Sequence, residues 1–159
     1  EAAGALREHG LPVLCNECAR VRAGTGFLQV VGVDDPHTLR ADFDRAYSDA
    51  DPDAWTLLLC HSPDGVVDLR DHRADLMLCG HTHGGQVRLP GFQAPAQNTR
   101  LVRGLVAGWY DAREVARRTG LPEGRVRLYV SRGLGMSRFP GRLYCAPELP
   151  VFTLRAKRA

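Results

Sequence analysis

The sequence has no apolar run that approaches the roughly 18 residues of a membrane-spanning helix. It also has no large excess of either charge, because 21 Lys and Arg residues against 18 Asp and Glu residues leave a net charge of +3. An excess this small does not by itself indicate a nucleic-acid partner. No internal repeat or low-complexity segment interrupts the 159 residues, 44% of which are hydrophobic, so the composition predicts one ordinary globular domain.

A second Cys-x-x-Cys pair is missing, which argues against a structural zinc site. Cys15 and Cys18 form such a pair in "CNEC", whereas a four-cysteine zinc site needs two pairs. Cys60 and Cys79 each end an apolar stretch, "WTLLLC" and "DLMLC", and are expected to be buried small residues. The odd total of five cysteines fits a reducing compartment slightly better than an oxidising one.

The chain also lacks an initial Met and a recognisable signal peptide. We therefore expect it to be a segment of a longer protein, in which an upstream anchor or export signal would lie outside this sequence. The expected localisation is cytoplasmic or membrane-associated, and membrane association would depend on residues that precede Glu1.

Short apolar runs predict strands, and helical spacing with capping residues predicts helices. Asp111 and Glu114 form a capping-box pattern at the start of a helix that should end at Gly120. Strands alternate with helices at first and then dominate, which predicts an α/β fold with a layered, mixed sheet. The predicted strands are 11–15, 26–33, 55–60, 75–79, 85–89, 125–133 and 149–156, and the predicted helices are 1–9, 38–50, 63–74 and 111–120.

Three of the six histidines follow buried strands. His61 follows "WTLLLC", and His81 and His83 follow "DLMLCG" within "CGHTHGGQVRLPG". If the two strands are parallel neighbours, the three imidazoles lie at one rim of the sheet, where binding sites of α/β folds collect. Neutral imidazole is a common ligand of divalent metals, so the pattern predicts a metal site at these three residues. Surface or structural roles are expected for the others, His9, His37 and His72.

The residues after the second histidine favour the approach of an anion. Gly84 and Gly85 bring no side chains and leave backbone amides available to a phosphate. We expect Gly84, Gly85 and Gln86 to line the substrate side of the site.

"LLLCHSPD" followed by "LMLCGHTHGGQVRLPG" resembles the calcineurin-like metallophosphoesterase superfamily, in particular its bacterial membrane-associated branch of phosphodiesterases and UDP-diacylglucosamine pyrophosphatases. "FLQVVGVDDP" and "LYVSRGLGMSRFPGRLYCAPELPVFTL" are similar to that branch too, so the resemblance covers nearly the whole chain. It implies a sandwich of mixed sheets flanked by helices. It also implies two divalent ions, of Mn, Fe, Zn or Ni, that clamp a phosphoryl group while an activated water attacks phosphorus.

The same resemblance assigns the ligands and the substrate. His61 and His81 would ligate the second metal, and His83 the first. The implied substrate is a phosphodiester or a pyrophosphate, including one linked to a lipid.

The earlier motifs of that family do not occur where they should. The chain has no Gly-Asp and no Asn-His dipeptide, and "DPH" at 35–37 lies too late to be the family's Asp-x-His. The resemblance therefore implies that residues 1–159 are the C-terminal part of a single metallophosphoesterase domain. We expect an incomplete fold, with no catalytic residue beyond the metal ligands and with an inserted helix within 109–124.

Three functions stay open on the sequence. One is a metal-dependent phosphoesterase, and another is a catalytically incomplete remnant or metal-binding module that a further chain completes. The third is a nucleic-acid-binding module that uses the Arg-rich inserted helix. A DNA-reading motif would need a second recognition helix where a strand is predicted, so no nucleic-acid partner is expected.

Overall fold

A computed structural model describes residues 2–90, 94–95, 97–124 and 126–155 of the chain. Its strands are β1 (Glu17–Ala23), β2 (Gly26–Gly32), β3 (Thr56–Leu59), β4 (Leu76–Cys79), β5 (Gly108–Tyr110) and β6 (Arg127–Val130), and its helices are α1 (Ala2–Glu8), α2 (Phe43–Ala46) and α3 (Ala112–Thr119). The strands form one sheet in the order β1-β2-β3-β4-β6-β5. Strands β2, β3, β4 and β6 are parallel, and β1 and β5 pair antiparallel at the two edges. The predicted mixed sheet flanked by helices is confirmed.

The centre of the sheet is formed by the two apolar runs that the sequence assigned to buried strands. Leu58 of β3 pairs in register with Met77 of β4, and both side chains are fully buried. Leu128 of β6 is fully buried as well, beside β4. Continuous apolar runs of this kind suit parallel strands that are covered on both faces.

The connection between β3 and β4 is a 3-10 helix, Pro63–Leu69, so the predicted helix over 63–74 is shorter than expected and is not an α-helix. A Cβ atom on Gly65 would lie 2.5 Å from the Sγ atom of Cys60, so the segment passes too close to the end of β3 for a larger side chain. The tight turns of a 3-10 helix bring Val66 and Leu69 fully into the core over this short distance.

The predicted helix over 38–50 is also shorter than expected, because within 39–50 only Phe43–Ala46 is helical. Leu39 adopts a left-handed backbone with φ of 61° and its side chain is exposed. The Asp42 side chain caps the helix by accepting a hydrogen bond from the backbone N–H of Arg45 at 2.9 Å. The helix therefore begins after Asp42, four residues later than the predicted start at 38.

Three predicted strands are not strands in the described residues. Segment 11–15 packs across β2, since a Cβ atom on Gly32 would lie 2.4 Å from the Cβ atom of Leu14. Segment 85–89 makes only an isolated bridge, Val87 to Leu143, and 149–155 is irregular. Strands β1 and β5 were not predicted, because the side chains of β1 are largely exposed and β5 has only three residues, too few for an apolar run.

The remaining predicted elements are confirmed with shorter bounds. They are β2, β3, β4 and β6 among the strands and α1 and α3 among the helices. At α3 the Asp111 side chain accepts from the backbone N–H of Glu114 at 2.7 Å, and Gly120 ends the helix in the left-handed conformation. The sequence predicts a loop over 90–100, and residues 91–93 and 96 of it lie outside the described residues.

Burial of Cys60 and Cys79 is confirmed, and Cys145 is buried too. Burial raises the pKa of the Cys60 thiol to about 12. Cys15 and Cys18 are half-buried, and none of the five cysteines, all within the described ranges, forms a disulfide. Among the described residues, no helix is both long and apolar enough to span a membrane.

Truncation of Leu58 should be costly, because it lies fully buried at the centre of the sheet. We expect Leu58→Ala to lower the free energy of unfolding by about 2–5 kcal/mol in chemical denaturation. Leu59→Ala is the matched control on the same strand, where the side chain is 39% exposed. It should cost less than about 1 kcal/mol, and equal losses for the two variants would contradict the described face of β3.

Thiol labelling should separate the half-buried cysteines from the buried ones. We expect an aromatic disulfide reagent at pH 8 to react promptly with Cys15 and Cys18 in the folded protein and with five thiols after denaturation. Cys15→Ser should remove one of the promptly reacting thiols. Prompt labelling of Cys60, identified by mass spectrometry, would contradict its burial.

Candidate metal centre

Two of the predicted ligands meet just beyond the sheet. β3 and β4 are parallel neighbours, and His61 and His81 each lie two residues past the end of their strand. Nδ1 of His81 lies 3.1 Å from Nε2 of His61, and the ring planes are nearly perpendicular, at 80°. A backbone hydrogen bond of 3.0 Å from Gly80 to the carbonyl of His61 ties the two strand ends together.

This pair has the chemistry of two ligands for one divalent ion. Burial, together with the neighbouring His37 and His61, lowers the pKa of His81. The imidazole of His81 is therefore neutral at neutral pH, which is the form that binds metals. Two ring nitrogens that face each other at 3.1 Å fit part of a metal site.

His83 lies nearby but is held separately. Its Nδ1 atom donates a hydrogen bond to the backbone carbonyl of Gly135 at 3.1 Å, which leaves the lone pair on Nε2. Metal-binding histidines commonly have their other ring nitrogen fixed in this way. Within the described ranges, however, no three His, Cys, Asp or Glu side chains form a group arranged to hold a metal. The structure thus brings His61 and His81 together and does not add His83 to the same group.

The loop that carries His81 and His83 has an unusual backbone. His81 has φ of 64° and His83 has φ of 51°, both in the left-handed region that non-glycine residues rarely adopt. Such conformations cost about 1–3 kcal/mol each and persist only where the surroundings fix them. Between them, the buried Thr82 hydroxyl donates to the backbone carbonyl of Val106 at 2.7 Å and anchors the loop to the core.

The three residues predicted to line the substrate side are all buried. A Cβ atom on Gly84 would lie 2.6 Å from both the Sγ atom of Cys145 and the Cγ atom of Arg132, so this glycine allows close packing of three segments. The Gln86 amide donates to the carbonyl of Phe139 at 3.0 Å and accepts from the backbone N–H of Ser137. Contact of Gly84, Gly85 and Gln86 with a substrate remains a prediction.

His37, for which the sequence predicts a surface or structural role, lies against the candidate site. Its ring meets the ring of His81 edge-on, with centroids 4.3 Å apart. Its Nε2 atom lies 2.7 Å from the carboxylate of Asp64. His9 is exposed, and His72 bonds to Asp44 and stacks on Tyr47.

Arg142 is a site residue that sequence reasoning missed. Its guanidinium donates to the backbone carbonyls of His83 at 3.1 Å, Gly135 at 2.6 Å and Arg132 at 2.7 Å. The carbonyl of Gly135 therefore accepts from both His83 and Arg142. No local signal marks this residue, because it follows His83 by 59 positions.

Comparison with known proteins finds relatives named metallophosphoesterase, phosphodiesterase and pyrophosphatase. The chain is 33% identical to an uncharacterized metallophosphoesterase, YkuE, of Bacillus subtilis over 81% of this chain and 41% of the relative. It is 33% identical to phosphodiesterase YaeI of Escherichia coli, over 94% of this chain and 49% of the relative. It is 31% identical to UDP-2,3-diacylglucosamine pyrophosphatase LpxG of Chlamydia trachomatis, over 82% and 37%.

The chain spans half or less of the length of these three relatives. Neither a family model nor a solved structure matches it.

Removal of the Arg142 guanidinium should loosen the loop that carries His83. We expect Arg142→Met to lower the free energy of unfolding by about 2–4 kcal/mol, because it leaves several partly buried carbonyls without a charged donor. The side-chain NMR signal of His83 should broaden or shift as well. Arg127→Met, at an exposed position on β6, is the control, and equal effects of the two variants would contradict this role.

Proposed function

The chain belongs to the calcineurin-like metallophosphoesterase superfamily, and on that premise we propose that it forms part of a metal-dependent phosphoesterase that hydrolyses phosphodiester or pyrophosphate bonds. In this proposal residues 1–159 are the C-terminal part of the catalytic domain, and α3 belongs to an insertion within 109–124. Both assignments follow the resemblance rather than the geometry of the chain.

The observation that carries the proposal is the approach of His61 and His81. Two imidazoles whose nitrogens lie 3.1 Å apart, at the carboxyl ends of adjacent parallel strands, lie where binding sites collect in α/β folds. The parallel pairing of β3 with β4 brings these two imidazoles together. We propose that they bind one divalent ion and that His83 binds a second through Nε2.

Bound divalent ions supply positive charge against the phosphoryl oxygens and lower the pKa of water. The contribution of this chain is to hold the imidazoles in fixed orientations. Burial keeps His81 neutral, and the carbonyl of Gly135 fixes which nitrogen of His83 stays free. Two dications close together need anionic ligands as well, and we propose that these come from the family motifs that this sequence lacks.

A pyrophosphate linked to a lipid is the substrate class that one relative suggests. The name of the chlamydial relative specifies UDP-2,3-diacylglucosamine, which joins a diacylated sugar to a nucleotide through a pyrophosphate. The Escherichia coli relative is named a phosphodiesterase. We propose that the substrate of this chain lies within these two classes.

A nucleic-acid-binding role is less well supported by the geometry. Arg118 of α3 pairs with Glu114 at 2.7 Å and lies over the ring of Tyr110, so it is engaged within the chain. α3 continues through an irregular segment into β6, and among the described residues no second helix follows it.

Metal analysis tests the proposal directly. We expect the purified chain to bind Zn²⁺ or Mn²⁺, measured by isothermal titration and elemental analysis. His81→Ala should weaken binding by more than about 100-fold, because losing a ligand costs more than losing one of its supporting partners. Hydrolysis of bis(p-nitrophenyl) phosphate is then assayed in the full-length protein.

His72→Ala is the matched control, because His72 bonds to Asp44 and stacks on Tyr47 instead of joining the histidine pair. It should leave metal affinity unchanged. A wild-type chain that binds no more metal than a His61→Ala, His81→Ala double variant would refute the proposal. Metal binding without hydrolysis in the full-length protein would favour the non-catalytic alternative.

A further inference from the structure

A single buried carboxylate, Asp64, lies behind the histidine pair. Its side chain is 1% exposed and carries two hydrogen bonds on each oxygen. Oδ1 accepts from the backbone N–H groups of Leu101 and Val102, both at 3.0 Å. Oδ2 accepts from the backbone N–H of Arg100 at 2.7 Å and pairs with His37 at 2.7 Å. A buried carboxylate is tolerated when its oxygens are satisfied in this way.

The hydrogen bonds keep this carboxylate ionised. Burial alone would raise the pKa of Asp64, but the bonds from the amides of Arg100 and Val102 and from His37 outweigh it and lower the pKa below its usual value. The charge fixes one tautomer of His37, with the proton on Nε2 toward Asp64. Asp64 therefore joins three separate segments of the chain, at 37, 64 and 100–102.

The first connection from Asp64 to the histidine pair passes through His37. The Nε2 atom of His37 lies 3.2 Å from the Ser62 hydroxyl as well as 2.7 Å from Asp64, so the ring is held from two sides. The side chain is 14% exposed. Its ring meets the ring of His81 at an angle of 72° and limits the rotation of that imidazole.

The second connection passes through the segment that Asp64 anchors by its amides. Asn98 lies two residues before Arg100, and its Nδ2 atom donates to Nε2 of His81 at 3.2 Å. The same atom lies 3.5 Å from the backbone carbonyl of His81. Asn98 therefore holds one ring nitrogen of His81, while the other, Nδ1, faces His61 at 3.1 Å.

We propose that Asp64 is the positioning residue of His81, acting through His37 on one side and Asn98 on the other to hold Nδ1 of His81 toward Nε2 of His61. This inference deepens the proposed function, because the importance of that orientation rests on His61 and His81 binding a metal. Asp64 itself touches neither of them. Partners that orient metal ligands from behind typically change metal affinity by about 10–100-fold when mutated.

The test uses two measurements on the full chain. Long-range ¹⁵N–¹H NMR of the metal-free protein reports the tautomer of His81 without reference to any metal. Isothermal titration with Zn²⁺ reports affinity. We expect Asp64→Asn to change the tautomer populations of His81 and to weaken Zn²⁺ binding about 10–100-fold, because the imidazole is no longer held toward His61.

The matched control is Asp75→Asn. Asp75 also accepts from a backbone amide, that of Thr56 at 2.9 Å, but it lies at the opposite end of β3 and β4. We expect it to lower thermal stability as well, while the His81 tautomer and the Zn²⁺ affinity stay within about twofold of wild type. A purely structural role for Asp64 would make the two variants behave alike.

Two further variants, each of which breaks one of the two connections, test the inference if Asp64→Asn does not fold. Asn98→Ala, at an exposed position, should shift the His81 tautomer. His37→Ala should allow the imidazole of His81 to rotate, because the ring that packs against it is removed. Each should weaken Zn²⁺ binding by less than Asp64→Asn. Unchanged tautomer and affinity in these variants would overturn the inference. If the variants change the His81 tautomer but the wild-type chain binds no Zn²⁺, the positioning role would be supported and the proposed function refuted.

Discussion

The parallel pairing of β3 with β4 is the constraint on which the candidate site depends. Leu59 pairs with Leu78, so the two strands end at the same level and release His61 and His81 side by side. The pairing is stabilised by fully buried apolar side chains, and the site obtains its geometry from that burial rather than from interactions between the histidines.

Beyond the strand ends the chain is irregular, and its backbone polar groups bond to buried or half-buried charged side chains instead of to neighbouring strands or helices. Asp64 collects backbone N–H groups, and Arg142 collects backbone carbonyls. Each satisfies polar groups that would otherwise be left unpaired near the core. The two residues lie on either side of the histidine loop, so that an anion fixes the surroundings of His81 and a cation fixes those of His83.

The central strands and the histidine pair could be predicted from the sequence, because both are encoded locally. An apolar run followed by a histidine identifies a strand end without any knowledge of the rest of the chain. The failures have a different origin. The predicted helix over 38–50 is cut short by a cap at Asp42, and the crossover tightens because Gly65 lies against Cys60. Asp64 depends on His37 and Arg100, 27 and 36 residues away, and Arg142 depends on His83, 59 residues away, and no local pattern reveals these partners.

The separation in sequence between His83 and its supports has a consequence for how the protein is made. A ribosome completes His83 long before Gly135, Arg142 and Cys145, which are 52 to 62 residues further along. Until those residues emerge, the left-handed backbone at His83 lacks the contacts that fix it. Strands β2, β3 and β4 can pair early, but His83 reaches its final position only when residues 135–145 are present. Truncated translation products would therefore carry the histidines without their full arrangement.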